Sequence, residues 1–150
     1  IPAMAEHYRK MFEEICEQKG ERLDIAKADE IEKAYALKLK TELKSEICTA
    51  WVIEDDEKIV ASGGVTFVSF VPNLSDLSSK VAYLHGMYTE KTHRNRKCAQ
   101  RIIDAATQHC RAHGVNRMIL TASEAGKPIY EKIGFRSTPE MMRLFIDKST

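Results

Sequence analysis

The chain has 150 residues, of which 43% are apolar and 30% are charged. This length is typical of one domain with one core, and the composition excludes collagen-like, low-complexity and wholly disordered chains. We therefore expect a single domain over residues 1–150. The 23 basic and 22 acidic residues leave a net charge of +1. That balance argues against nucleic acid or an anionic membrane as a partner, since such binders are usually far more basic.

The cysteine content points to neither a disulfide framework nor a metal site. The four cysteines are far apart and no two form a C-x-x-C pair. We predict small buried thiols, no bound metal and a reducing, cytoplasmic compartment. No apolar run approaches the roughly 18 residues of a transmembrane helix, and the start, IPAMAEHYRK, is unlike a signal peptide. The cysteines are Cys16, Cys48, Cys98 and Cys110.

Helical periodicity dominates the first third of the chain. Apolar residues recur at helical spacing over Pro2–Lys19, and Gly20 suits the position just past a helix end. A second helix is predicted over Asp24–Glu46, where Asp24 is a good N-cap. Its apolar face steps by four residues, through Ile31, Tyr35, Leu39, Leu43 and Ile47.

The period then changes to that of strands and short helices. The glycine pair Gly63-Gly64 inside a strand predicts a bulge or a close backbone approach. The remaining predicted elements are a hairpin of strands Thr49–Glu54 and Lys58–Phe70, a loop Pro72–Lys80, a strand Val81–Tyr88, a helix Cys98–His113, a strand Val115–Ala122, a helix Lys127–Ile133 and a strand Met141–Ile146.

This order of elements predicts an α/β fold. The hairpin is antiparallel, whereas the strand–helix–strand unit over residues 81–122 requires parallel strands with a right-handed crossover. We therefore expect a mixed, mostly antiparallel sheet with helices on its faces.

The turn between the third strand and the third helix is rich in cations. It reads YTEKTHRNRKCAQR, and after Glu90 no acid follows until Asp104. Free backbone N–H groups and the positive end of the helix dipole make a helix start a natural phosphate site. The charge pattern alone leaves two interpretations equally open, a phosphate site and a solvated basic turn.

Two motifs in this part of the chain resemble those of the GNAT acetyltransferase superfamily. Arg94-Asn95-Arg96-Lys97-Cys98-Ala99 resembles motif A, (Gln/Arg)-x-x-Gly-x-(Gly/Ala) at the start of a helix, with Lys97 where the family usually has Gly. Residues 118–135 resemble motif B, whose Tyr-x-x-x-Gly-Phe ending appears as Tyr130 to Phe135. The resemblance covers roughly residues 2–146. It implies a GNAT-like fold whose usual first strand is either absent from this chain or supplied in some other way.

The resemblance also implies where acetyl-CoA binds. The strand ending at Met87 and Tyr88 would offer backbone groups to the pantetheine arm, in the manner of an added strand, and an N–H to the thioester oxygen. A lysine Cβ at position 97 would narrow the approach to phosphate, although its ammonium could pair with a phosphate oxygen. The residues expected to hold the pyrophosphate are Arg94, Asn95, Arg96, Lys97, Cys98, Ala99 and Gln100.

Two residues are candidates for proton transfer. By the resemblance, Tyr130 would be the general acid that protonates the departing CoA thiolate; the alternative is a packing tyrosine on a short helix. His85, near the end of the cofactor strand, is the candidate base for the amine, either directly or through water. A structural or substrate-lining histidine is the competing interpretation.

These inferences predict an acetyl-CoA-dependent N-acetyltransferase. The acetyl group would pass directly to a primary amine of a small molecule or peptide that the sequence does not identify. The alternative function is a non-catalytic CoA-binding or interaction module of the same fold, which the substitution at Lys97 favours and Tyr130 disfavours. A homodimer is compatible with the resemblance.

Overall fold

The described part of the chain contains four α-helices and four strands, in an order close to the predicted one. In the computed structural model, which describes residues 1–147, the helices are α1 (Pro2–Gln18), α2 (Ile25–Lys44), α3 (Cys98–Ala112) and α4 (Lys127–Ile133). The strands are β1 (Cys48–Asp55), β2 (Lys58–Ser69), β3 (Lys80–Thr89) and β4 (Met118–Ile119). None of the helices in these residues has the length and hydropathy needed to span a bilayer.

The strands form one mixed sheet in the order β1-β2-β3-β4. The β1–β2 and β2–β3 pairs are antiparallel, whereas β3 and β4 are parallel. The parallel pair requires a crossover, which α3 supplies. The predicted mixed, mostly antiparallel α/β sheet flanked by helices is therefore confirmed, and the described chain starts directly with α1.

The helices cover both faces of the sheet, because successive strand residues point to opposite faces. Val65 and Leu84 pack in the cluster that contains Ile103 of α3. Their neighbours in sequence, Thr66 and His85, instead contact α2. One face therefore belongs to α1 and α2, and the other to α3.

Two of the predicted strands are wrong: one is much shorter than expected, and the other does not form. The strand expected over residues 115–122 is reduced to Met118–Ile119, because only these two residues reach β3 in hydrogen-bonding register. The strand expected over Met141–Ile146 is irregular, and Met142 and Ile146 are 93% and 89% exposed. An apolar run gives β propensity, but a strand also needs a partner backbone, which this segment lacks among the described residues.

Candidate active site

A bulge interrupts the pairing of β2 and β3 near the middle of the sheet. Ser62 pairs with Tyr88 and Gly64 with His85, so Gly86 and Met87 together oppose Gly63. This arrangement is a β-bulge, which leaves one residue outside the ladder. The prediction of a bulge or close approach at Gly63-Gly64 is confirmed, and a Cβ on Gly63 would collide with the Met87 sulfur.

Gly86 is the residue that makes this bulge possible. Its φ is +67°, in the left-handed region where glycine has no steric penalty. A Cβ at this position would also collide with the hydroxyl of Tyr35. Backbone strain and close packing therefore both require glycine here.

β3 separates from β4 before it reaches the bulge. The parallel pairing ends at Tyr83 and Ile119, whereas β3 continues to Thr89. Within residues 1–147, the backbone of β3 from residue 84 onward has no partner strand on its β4 side. An extended group can bind along such an open edge by adding to the sheet like a strand.

The turn that leads into α3 exposes backbone donors. Asn95 and Lys97 have φ values of 64° and 61°, and no side chain caps the helix. The first backbone hydrogen bond of the helix runs from the Arg101 N–H to the Lys97 carbonyl. The N–H groups of the three residues in between, 98–100, face outward at the positive end of the helix dipole.

The basic side chains of this turn differ in whether they pair with an acidic residue. Arg94 donates to Glu14 at 2.8 Å and to the Thr89 carbonyl at 2.9 Å, so its guanidinium is held against α1. Arg96 and Lys97 are exposed and form no ion pair within residues 1–147. The turn thus presents two unengaged cations beside its amides.

The remaining predicted cofactor residues lie in and around the same turn. Cys98 is buried, with its thiol 3.7 Å from the His93 carbonyl. Ala99 is half-buried, and the Gln100 amide donates to Asp104 at 2.9 Å. Cys98 therefore contributes its backbone to this surface, and its thiol is directed inward.

Met87 and Tyr88 point to opposite faces of the sheet. The Met87 side chain packs with Ile102 on the α3 face. The Tyr88 hydroxyl donates to Glu14 at 2.7 Å. Burial, followed by this hydrogen bond, raises the pKa of Tyr88. Only the backbone of these two residues is left to contact a ligand along the open edge.

His85 is buried in a polar network. Its Nδ1 lies 2.8 Å from the hydroxyl of Tyr35 and its Nε2 lies 2.9 Å from the hydroxyl of Thr66. Burial lowers the pKa of His85 to about 4, with Lys38 adding to the effect. The imidazole is therefore neutral at pH 7, and both of its nitrogens are occupied.

Tyr130 lies on α4, a short helix with defined ends. The Ser123 hydroxyl accepts from the Gly126 N–H at 3.1 Å before the helix, and the Phe135 N–H donates to the Tyr130 carbonyl after it. The Tyr130 ring packs edge-on against Phe135. Burial raises the pKa of Tyr130 to about 12, so the phenol is protonated at neutral pH.

A second polar network, which sequence analysis missed, lies on the α1 face. His7 is 2% exposed, with Nδ1 2.8 Å from the Ser62 hydroxyl and Nε2 3.2 Å from Glu90. Burial lowers the pKa of His7, although Glu90 opposes the effect. Its position three residues after Met4 on the apolar stripe of α1 was the available signal of burial.

A groove of about 660 Å³ runs between the C-terminal half of α1 and the end of β3. Glutamates dominate its lining, and Lys10, Arg22 and Lys91 are its basic residues. The glutamates are Glu13, Glu14, Glu17, Glu21 and Glu90.

Among residues 1–147, no three His, Cys, Asp or Glu side chains converge so as to hold a metal ion.

Comparison with known proteins assigns the family. The profile of the acetyltransferase (GNAT) family matches residues 1–135, and the chain belongs to that family. It is accordingly an N-acetyltransferase by class. No curated protein sequence matches it significantly.

Solved structures share the fold at low sequence identity. A GCN5-related N-acetyltransferase from Ralstonia eutropha JMP134 is 23% identical with a TM-score of 0.83, over 96% of this chain and 91% of that one. A predicted acetyltransferase with acetyl-CoA from Clostridium acetobutylicum is 22% identical, with a TM-score of 0.79 and coverages of 95% and 88%. The glucosamine-6-phosphate N-acetyltransferase of Arabidopsis thaliana is 21% identical, with a TM-score of 0.60 and coverages of 95% and 94%.

Proposed function

We propose that this protein transfers the acetyl group of acetyl-CoA directly to a primary amine of a small molecule or peptide. The observation that carries the proposal is the open edge of β3 beyond the bulge, which leads to the uncapped start of α3. The edge suits the amide groups of a pantetheine arm, and the turn suits its pyrophosphate. The neighbour from Clostridium acetobutylicum, whose structure contains acetyl-CoA, supports this cosubstrate.

In this proposal the pyrophosphate contacts the backbone N–H groups of residues 95–100. Arg96 and Lys97 add charge, because neither is engaged by an acid in residues 1–147. Arg94 would have to exchange Glu14 for phosphate, so its contribution depends on that competition. The bulge at Gly86 and Met87 would present a backbone N–H to the thioester oxygen.

Tyr130 is the proposed general acid for the CoA thiolate, and its raised pKa keeps the proton available. His85 is the proposed base for the proton that the amine must lose, and because both of its ring nitrogens are engaged, the proton must reach it through a hydrogen-bond partner. The acidic groove beside Tyr88 and Glu90 supports an acceptor that arrives as a cationic ammonium. The four free cysteines support a reducing, cytoplasmic location.

Tyr130→Phe tests the catalytic assignment. We expect turnover to fall by about 10²–10⁴-fold, the usual contribution of a general acid, while the Kd of acetyl-CoA stays near that of the wild type. Turnover is measured by release of the free thiol with a panel of primary amines, and affinity by calorimetric titration. Phe135→Leu is a matched control, because it alters the same aromatic pair and leaves the phenol in place.

The result also decides between an enzyme and a binding module. Unchanged turnover in Tyr130→Phe would remove the residue from the mechanism. Binding of acetyl-CoA without turnover of any amine would favour the non-catalytic alternative, and absence of binding would refute the cofactor site.

A further inference from the structure

We propose that Tyr35, His85, Thr66 and Glu42 form a proton relay from the acceptor amine to the protein surface. The inference rests on the proposed transfer to an amine and specifies where the proton goes. The three links are continuous, from Tyr35 Oη to His85 Nδ1 at 2.8 Å, from His85 Nε2 to Thr66 Oγ1 at 2.9 Å, and from Thr66 Oγ1 to Glu42 Oε1 at 2.7 Å.

The chemistry of the groups fixes the direction of every hydrogen in the chain. A carboxylate only accepts, so the single hydroxyl proton of Thr66 points to Glu42. Thr66 must then accept from His85, which places the imidazole proton on Nε2. Nδ1 of the neutral ring is left as an acceptor, and Tyr35 donates to it. All donors therefore point outward, from Tyr35 to Glu42.

The inner end of the chain lies at the bulge. The Tyr35 hydroxyl is so close to Gly86 that a Cβ there would collide with it. The ring is held in place by stacking on Tyr8, with the centroids 3.9 Å apart. The Tyr35 hydroxyl thus lies against the backbone where the thioester is proposed to bind, and Tyr35 is the catalytic residue of the relay.

The outer end reaches solvent. The Glu42 side chain is 17% exposed and pairs with Lys38. Burial works against the charged form of Glu42, but hydrogen bonds from Lys38 and Thr66 outweigh it and lower the pKa. The carboxylate is therefore ionised at neutral pH, and it can pass a received proton to water.

One concerted shift moves the proton. The acceptor ammonium gives a proton to Tyr35 Oη as the original hydroxyl proton passes to His85 Nδ1. The Nε2 proton passes to Thr66, and the Thr66 proton passes to Glu42. Only N–H and O–H bonds change, and the net result is one proton moved from the amine to a carboxylate. His85, Thr66 and Glu42 act through Tyr35 and are positioning residues.

The groups around His85 maintain the neutral ring that this shift requires. Burial and Lys38 lower its pKa, while Glu42 opposes them. Titratable and polar groups from every packed element surround it. Tyr8 of α1 acts indirectly, by stacking on Tyr35. The groups that face His85 itself are Tyr35, Lys38 and Glu42 of α2, Cys48 of β1, Thr66 of β2 and Tyr83 of β3.

Thr66→Val tests the relay, because it removes the central hydroxyl and keeps the side-chain shape. The probes are tyramine, spermidine and glucosamine 6-phosphate with saturating acetyl-CoA, from pH 6 to pH 10. We expect kcat at pH 7 to fall about tenfold or more, with the Kd of acetyl-CoA in calorimetric titration unchanged. The deficit should shrink at high pH, where the amine arrives already neutral. Thr66→Ser should restore turnover.

Controls separate the relay from a structural effect. Thr107→Val removes a half-buried threonine hydroxyl on α3 and should leave kcat unchanged. Glu42→Gln interrupts the outer end and should reproduce the deficit, including in the event that Thr66→Val does not fold. A deficit of equal size at every pH, or equal kcat in Thr66→Val and wild type, would overturn the relay.

The His85 tautomer provides a test that needs no acceptor. We expect ¹⁵N spectra of the imidazole to show the proton on Nε2 in the wild type. A proton on Nδ1 would reverse the chain and overturn the relay. If none of the probe amines releases CoA, the proposed function fails, and the tautomer still decides independently whether the outward-pointing chain exists.

Discussion

Lys97 occupies a backbone conformation that glycine would adopt without strain. Its φ of 61° lies in the left-handed region, which costs roughly 1–2 kcal/mol for a residue with a Cβ. The resemblance assigns glycine to this position, and the structure shows a backbone conformation that suits glycine although the residue is a lysine. The lysine therefore stores strain at the turn proposed to hold the pyrophosphate.

Lys97→Gly should relieve that strain. The free energy of unfolding is expected to rise by up to about 1 kcal/mol, since the flexibility of glycine in the unfolded chain offsets part of the gain. Asn95→Gly is the matched control: Asn95 has a φ of 64°, but asparagine tolerates this region better, so its gain should be smaller. Urea unfolding measures both. A loss of stability in Lys97→Gly would contradict the inference that the backbone of Lys97 is strained.

At the scale of an element, β3 combines a regular strand with an interruption. Its N-terminal half pairs on both sides, with β2 and β4. The bulge at Gly86 then changes the register with β2, and the pairing with β4 has already ended. This strand therefore brings together the polar network of His85, the open edge and the turn into α3.

Gly86→Ala and Gly114→Ala together test the packing at the bulge. Both positions have positive φ, +67° and +69°, so both variants should lose roughly 1 kcal/mol from backbone strain. Only position 86 also faces Tyr35, whereas no atom lies within 4 Å of a Cβ at position 114. We expect Gly86→Ala to lose clearly more stability in urea unfolding. Equal losses would show that the Tyr35 hydroxyl does not pack against the bulge.

At the scale of the whole molecule, two buried histidines and one half-buried histidine couple stability to pH. Burial lowers the pKa of His7, His85 and His109 below their ordinary value of 6.5. The unfolded chain binds these protons more readily than the folded one as pH falls. The stability is therefore fully present above pH 6.5, and for His85 it is lost progressively down to its folded pKa of about 4.

Urea unfolding at pH 7.0, 5.5 and 4.5 measures this dependence. We expect the free energy of unfolding to decrease across the series and His85→Gln to decrease less steeply. Equal slopes for the two proteins would contradict the buried neutral state of His85. Trp51 fluorescence and far-ultraviolet circular dichroism should follow the same transition if residues 1–150 form the single cooperative domain proposed from the length.

Local patterns predicted much of this protein. Helical periodicity and end residues identified α1 to α4, and the family motifs located the turn at Lys97 and the tyrosine on α4. The glycine pair in β2 indicated the irregularity opposite Gly86. These features depend on residues close in sequence, whose spacing fixes which side chains share a face.

Three features depended on tertiary structure. They are the extent of β4, the irregular course of Met141–Ile146 and the chain of hydrogen bonds through His85. His7 meets Ser62 across 55 positions and Tyr35 meets His85 across 50. Such contacts arise from the docking of helices on a particular strand register, and no local period encodes that register. The sequence by itself thus determined the helices, the first three strands and the family, whereas the packing of α1 and α2 on the sheet decided which polar side chains are buried together.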